Sequence, residues 1–134
     1  GWKAQNCTAA MTNGALRIEA DPGAAAFLGT VQIRHSGPAV LRLRARSHAG
    51  GKGAVQWRTS GQATFPKGAQ SVSFELKPGE AWQDVAVDLP VSGELAHLRL
   101  FLPAARAPVE ISSLQYLPAG TAQLVREWTF SAHE

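Results

Sequence analysis

The chain has 134 residues and a mass of 14.2 kDa, a one-domain length that suffices to bury a core without metal or disulfide staples. An apolar share of 45% against 17% charged residues excludes a disordered body, and no run of about 18 apolar residues is present to cross a membrane. The formal charge of +3 is only mildly basic and does not by itself call for nucleic acid, and the lone Cys7 excludes an internal disulfide and a cysteine zinc cluster.

In chain order, the sequence opens Gly1-Trp2-Lys3 with no initiator Met and no charged-then-apolar leader. It reads as an excised or processed piece of something longer, without a signal peptide of its own. Ala15-Leu16-Arg17-Ile18-Glu19-Ala20 alternates apolar and polar and stops at the turn signal Asp21-Pro22-Gly23. Residues 27–33 form a second apolar stretch, broken by Gly29. Val40-Leu41-Arg42-Leu43-Arg44-Ala45-Arg46 is the clearest strand, with Leu41, Leu43 and Ala45 on one face and three arginines on the other. Residues 48–53 read as a glycine-rich hairpin loop, and residues 54–59 as the partner strand. Val72, Phe74 and Leu76 alternate up to the turn Lys77-Pro78-Gly79-Glu80. Val85, Val87 and Leu89 do so up to Pro90, and Leu98, Leu100 and Leu102 up to Pro103. Residues 109–117 complete the series, and residues 123–130 add an edge strand that tucks Trp128 and Phe130 onto the body.

Eight or nine short strands with turn signals between them, and no amphipathic helix, predict an all-β antiparallel sandwich of jelly-roll type. The expected domain covers residues 1–130, with residues 131–134 as a frayed tail.

No nucleophile elbow, phosphate loop, zincin motif or zinc-deaminase motif is present. The four histidines (His35, His48, His97, His133) show no metal-ligand spacing, and Asp84 and Asp88 share a strand face without a cleft to converge in. The chain therefore reads as a non-enzyme. Its chemistry lies in the arginine stripe Arg42, Arg44 and Arg46, with Arg58 and Arg99 on neighbouring polar faces. Such a face suits carboxylate or sulfate oxygens, which guanidinium groups grip with two parallel hydrogen bonds. It equally suits cross-strand pairing to Glu75, Asp84 or Glu94. Among the aromatics, Trp57 is in phase with Val55, in the core or at the strand end. Trp82 is on the polar phase, Phe65 is presented by the loop of residues 60–70, and Phe101 flanks Arg99.

The segments LRIEADP (Leu16 to Pro22), GPAVLRLRARS (Gly37 to Ser47), GAVQWRT (Gly53 to Thr59), VSFELKPGEAWQDVAVDLP (Val72 to Pro90), LAHLRLFLP (Leu95 to Pro103) and VEISSLQYL (Val109 to Leu117) carry a resemblance, as does the closing REWTF (Arg126 to Phe130). Together they resemble galactose-binding-like jelly-roll domains, notably accessory modules of planctomycete and other bacterial sulfatases and of polysaccharide-degrading enzymes. The resemblance implies a non-catalytic carbohydrate-binding module in a secreted or periplasmic enzyme. Its implied partners are an acidic or sulfated polysaccharide and a catalytic domain in the same chain, with no nucleic acid and no membrane. A structural accessory domain that packs on its parent enzyme without binding sugar is the alternative. Relatives hold Ca²⁺ where an Asp follows the last Val-x-Ile. Here Ser112 follows Ile111, leaving only Glu19 and Asp21 on the early side, so no metal and no cofactor is expected. The resemblance also places sugar sites either on a concave sheet face, here Arg42, Arg44, Arg58, His97 and Arg99, or in end loops, here His48, Lys52, Trp57 and Phe65.

Overall fold

A computed structural model describes residues 1–23, 25–103 and 107–130. The strands in chain order are β1 (Lys3–Gln5), β2 (Cys7–Thr12), β3 (Ala15–Ala20), β4 (Phe27–Thr30), β5 (Ala39–Ser47) and β6 (Gly51–Thr59). They continue as β7 (Ser71–Leu76), β8 (Gly79–Leu89), β9 (Leu95–Phe101), β10 (Val109–Pro118) and β11 (Arg126–Thr129). No helix occurs among the described residues, so none is long and apolar enough to cross a membrane. The strands form two antiparallel sheets. Sheet A has the order β1-β4-β9-β6-β7, and sheet B has β2-β3-β10-β5-β8 with β11 beside β10. The fold is the all-β antiparallel sandwich that alternation predicts.

Among the described residues eleven strands stand where eight or nine were expected, because β1 and β2 carry almost no alternating pattern. A turn signal for β2 was nonetheless present. Asn13 and Gly14 both adopt positive φ, at 54° and 79°, as a two-residue hairpin turn of mirror-image type requires. The supposed loop of residues 48–53 is also shorter than expected, since β6 begins at Gly51. The tail, residues 131–134, lies outside the described residues.

Inward-facing Leu41, Leu43 and Ala45 of β5 meet Val55 and Trp57 of β6 and Leu98 and Leu100 of β9 in one core. Trp57 is only 2% exposed, and burying so large an aromatic contributes several kcal/mol, about 25 cal/mol per Å² removed from water. A register shift between Ile111 and Ser113 lets both Ile111 and Leu114 point inward, so the bulge at Ser112 keeps β10 in phase with the core. Burial pushes the Tyr116 hydroxyl up to about 12; this group has no hydrogen-bond partner among the described residues, and its ring meets His35 edge-on. At the open end Trp128, opposite Leu114, packs edge-to-face on Trp2 with centroids 5.2 Å apart. Trp128 and Phe130 thereby close onto the body as expected.

Candidate functional site

On the outer face of sheet A the strand registers build three rows. Gln56, Arg99, Gly29 and Lys3 face one another across β6, β9, β4 and β1. Ala54, Phe101, Phe27 and Gln5 form the next row, and Arg58 and His97 a shorter third. These positions face outward because their strand neighbours Val55, Trp57, Leu98, Leu100 and Leu28 are sealed in the core. None of the three rows contains a carboxylate.

Arg99 sits at the centre. Its guanidinium carbon lies 3.9 Å from the ring centroid of Phe65 and 4.8 Å from that of Phe27, so two phenyl faces clamp the cation. Its Nε is buried without a partner among the described residues. Phe27 is braced in turn by Phe101, 4.9 Å away, and Phe65 by His97, 5.0 Å away. Burial, then the charges of Arg99 and Arg58, push the His97 imidazole below its ordinary value of 6.5. Neutral His97 keeps one donor and one acceptor nitrogen for a ligand. Gly29 makes room for this ring, since a Cβ there would lie 3.1 Å from His97 Nε2.

The loop that delivers Phe65 is held by side-chain amides. Gln62 and Gln70 exchange two hydrogen bonds of 2.9 Å, and Gln70 Nε2 donates to the Trp57 carbonyl at 2.7 Å. Gln62 also accepts from the Thr59 N–H at 3.0 Å, and its own carbonyl accepts from Arg58 at 2.9 Å. Beside these residues an open cleft of about 700 Å³ runs from Arg99 and His97 over Gly29 to Trp2, Lys3 and Gln32. That is the size range of sites that take small ligands.

The candidates from sequence scatter over the molecule. Arg58, Phe65, His97 and Arg99 come together on sheet A. Arg42 and Arg44 belong to the outer face of sheet B, the opposite side of the sandwich, so the single arginine-rich face splits in two. Alternation assigns a residue to a face of its own strand, and it is silent on which sheet that strand joins. On sheet B the arginines meet acids, as cross-strand pairing allowed. Arg44 pairs with Asp84 at 3.1 Å, and Arg46 with Glu110 at 3.0 Å while lying 4.3 Å over Trp82. Arg42, next to Gln115 and Ala86, has no acidic partner among the described residues. His48 pairs with Glu80 at 3.3 Å beyond the end of β5, and Lys52 faces Glu75 at the far end of β6. Trp57, a candidate platform, is instead a core residue with its ring closed to any ligand.

Sequence reasoning passed over Phe27, Lys3, Gln5 and Gln32. Phe27 stood in an apolar stretch with no polar phase to mark it. Lys3 and Gln5 joined the face only when β1 paired with β4 and β4 with β9, and Gln32 lines the cleft from beyond the end of β4. No three metal-ligating side chains gather among the described residues. Glu19 is taken by Arg17 at 3.5 Å, and the Ser112 hydroxyl donates to the Arg44 carbonyl at 3.4 Å.

No protein-family model and no curated protein sequence matches the chain. Among solved structures it is similar to CBM1 of BiXyn10A in its apo form, at TM-score 0.66 and 12% identity over 89% of this chain and 90% of that one. A CBM29-2 variant complexed with mannohexaose aligns at TM-score 0.63 and 14% identity, covering 87% of this chain and 79% of that one. CBM29_1, a family 29 carbohydrate-binding module from Piromyces equi, aligns at 0.61 and 11%, covering 83% and 76%. The sandwich is of the kind that carbohydrate-binding modules use.

Proposed function

We infer that the chain is a non-catalytic carbohydrate-binding module that holds an acidic or sulfated polysaccharide on the outer face of sheet A. The observation that carries this reading is Arg99. It is an arginine clamped between Phe65 and Phe27, with no carboxylate on its row and its Nε unpartnered among the described residues. A guanidinium fixed in this way is preorganised for carboxylate or sulfate oxygens. Lys3 extends the Arg99 row and Arg58 adds a positive charge on the same face, in the row of His97, while His97, Gln5, Gln32 and Gln56 offer hydrogen bonds to hydroxyls. The faces of Phe27 and Phe65 are engaged by the cation, so charge contributes more here than stacking of a bare sugar ring. The cleft toward Trp2 gives the neighbouring sugar units room. The likeness to modules at 11–14% identity supports the fold and is compatible with this use of it. The module serves a larger secreted or periplasmic enzyme, such as a bacterial sulfatase, by raising the enzyme's effective concentration at its polymer.

Native affinity electrophoresis through neutral, uronic-acid and sulfated polysaccharides tests the reading. Retardation by an anionic polymer is expected, weakening with salt as ion pairs are screened. Arg99→Ala should weaken binding at least tenfold, worth about 1.4 kcal/mol, with the fold intact by circular dichroism. Uniform mobility across the panel would overturn the reading in favour of a structural domain that packs on its parent enzyme.

A further inference from the structure

An edge strand exposes a row of unpaired N–H and C=O groups, and folded proteins blunt such edges with charge, proline, bulges or brevity. Most edges here are blunted. Edge β8 carries Glu80, Asp84 and Asp88 and a register shift against β5. Edge β7 carries Glu75 and ends at Leu76, just before Lys77-Pro78, β1 is three residues long and starts with Lys3, and β11 holds Arg126 and Glu127. The exception is β2. Its six residues, Cys-Thr-Ala-Ala-Met-Thr, contain no charge and no proline, and they pair with β3 without a bulge. Residues 8–12 are all exposed, Met11 at 54%.

The backbone shows which groups are open. The Asp21 N–H donates to the Asn6 carbonyl at 2.8 Å, and Asn13-Gly14 closes a two-residue turn between Thr12 and Ala15. Both features set Thr8 with Glu19, Ala10 with Arg17 and Thr12 with Ala15 as the hydrogen-bonded pairs, since such pairs alternate along an antiparallel ladder. The N–H and C=O groups of Cys7, Ala9 and Met11 therefore point away from β3, into the open edge.

We propose that β2 is a self-association edge at which two copies of the chain pair antiparallel around Ala9, joining their B sheets into one. In this register Ala9 faces Ala9 of the second copy, and Cys7 faces its Met11. Each of these residues then satisfies its open N–H and C=O, while Met11 and Cys7 share the inward side. On the outer side Thr8 faces Ala10 of the second copy. Their neighbours on β3 are Glu19 and Arg17, so each row across the seam is bordered by opposite charges. The strand is thus complementary to itself in hydrogen bonding, in polarity and in flanking charge. A two-fold axis perpendicular to the joined sheet leaves both A sheets on the same side. Two Arg99 faces would then meet one polymer together, a gain in avidity that alone rests on the proposed function.

Sedimentation and light scattering of the glycan-free protein test the pairing. The mass should rise from 14.2 kDa toward twice that value as concentration increases. For so small an interface the rise is expected over about 0.01–1 mM. Residue-resolved hydrogen exchange should show the amides of Cys7, Ala9 and Met11 gaining protection with concentration, and those of Thr8, Ala10 and Thr12 unchanged. Ala9→Pro removes the central donor, which β3 does not use, and Met11→Lys charges the exposed seam. Each should leave a folded monomer at 1 mM, and either one alone suffices if the other misfolds. A wild-type monomer at 1 mM, protection at other amides, or a dimer that survives both variants would overturn the proposal. Loss of glycan binding with the dimer intact would count against the proposed function only.

Discussion

At the scale of single residues, His97 is the most informative titrating group on the sheet A face. Its imidazole is held below 6.5 by burial and by the charges of Arg99 and Arg58, so the folded state resists protonation. The unfolded chain binds that proton more readily. His97's contribution to stability is therefore complete above about 6.5 and is lost as pH falls from there through the lower folded value. Denaturant midpoints measured between pH 8 and pH 5 should decline, and His97→Gln should flatten that part of the decline. A bound sulfated polymer reverses the preference, because its charge does not titrate in this range and it favours the imidazolium. NMR titration should then find the His97 pKa raised in the complex, with binding tighter at pH 5 than at pH 8. An unchanged pKa on saturation would separate His97 from the ligand.

At the scale of elements, β6 shows how one strand divides its labour. Val55 and Trp57 face the core while Gln56 and Arg58 face the ligand side, and the carbonyl of Trp57 anchors the amide pair that shapes the Phe65 loop. Trp57→Ala should lower stability by about 3–5 kcal/mol through the cavity it opens. Below the shifted transition it should bind ligand like a loosened wild type, with loss of affinity tracking loss of Phe65 order rather than a missing contact. A chemical-denaturation series with binding measured at the same temperature checks both parts. Direct loss of binding from a fully folded Trp57→Phe variant would contradict the core assignment. This element was half legible in the sequence. Its pattern gave two faces, but the Trp near its end fitted either a core or an exposed position until β9 paired beside it and the core closed over it.

At the scale of the whole molecule, the two outer faces differ in charge pairing. Sheet B sets Arg44 and Arg46 against Asp84 and Glu110, whereas sheet A leaves Arg99 without an acid among the described residues. Replacing Arg42 and Arg44 together by Ala should therefore leave affinity for the polysaccharide within about twofold of wild type. Stability should change by less than about 1 kcal/mol, since exposed ion pairs contribute little. Affinity electrophoresis and thermal melts read the two effects. A loss of binding as large as that of Arg99→Ala would move the ligand to the other face. The sequence by itself determined the sandwich, most of its strands and the surface position of the arginines, because period-two alternation is a local property that one strand records alone. Tertiary structure decided which arginines share a face, that Trp57 is buried, and that Phe27 and Phe65 close on Arg99. Those outcomes depend on which strands become neighbours and in what register, and long-range pairing leaves no period within the strand itself.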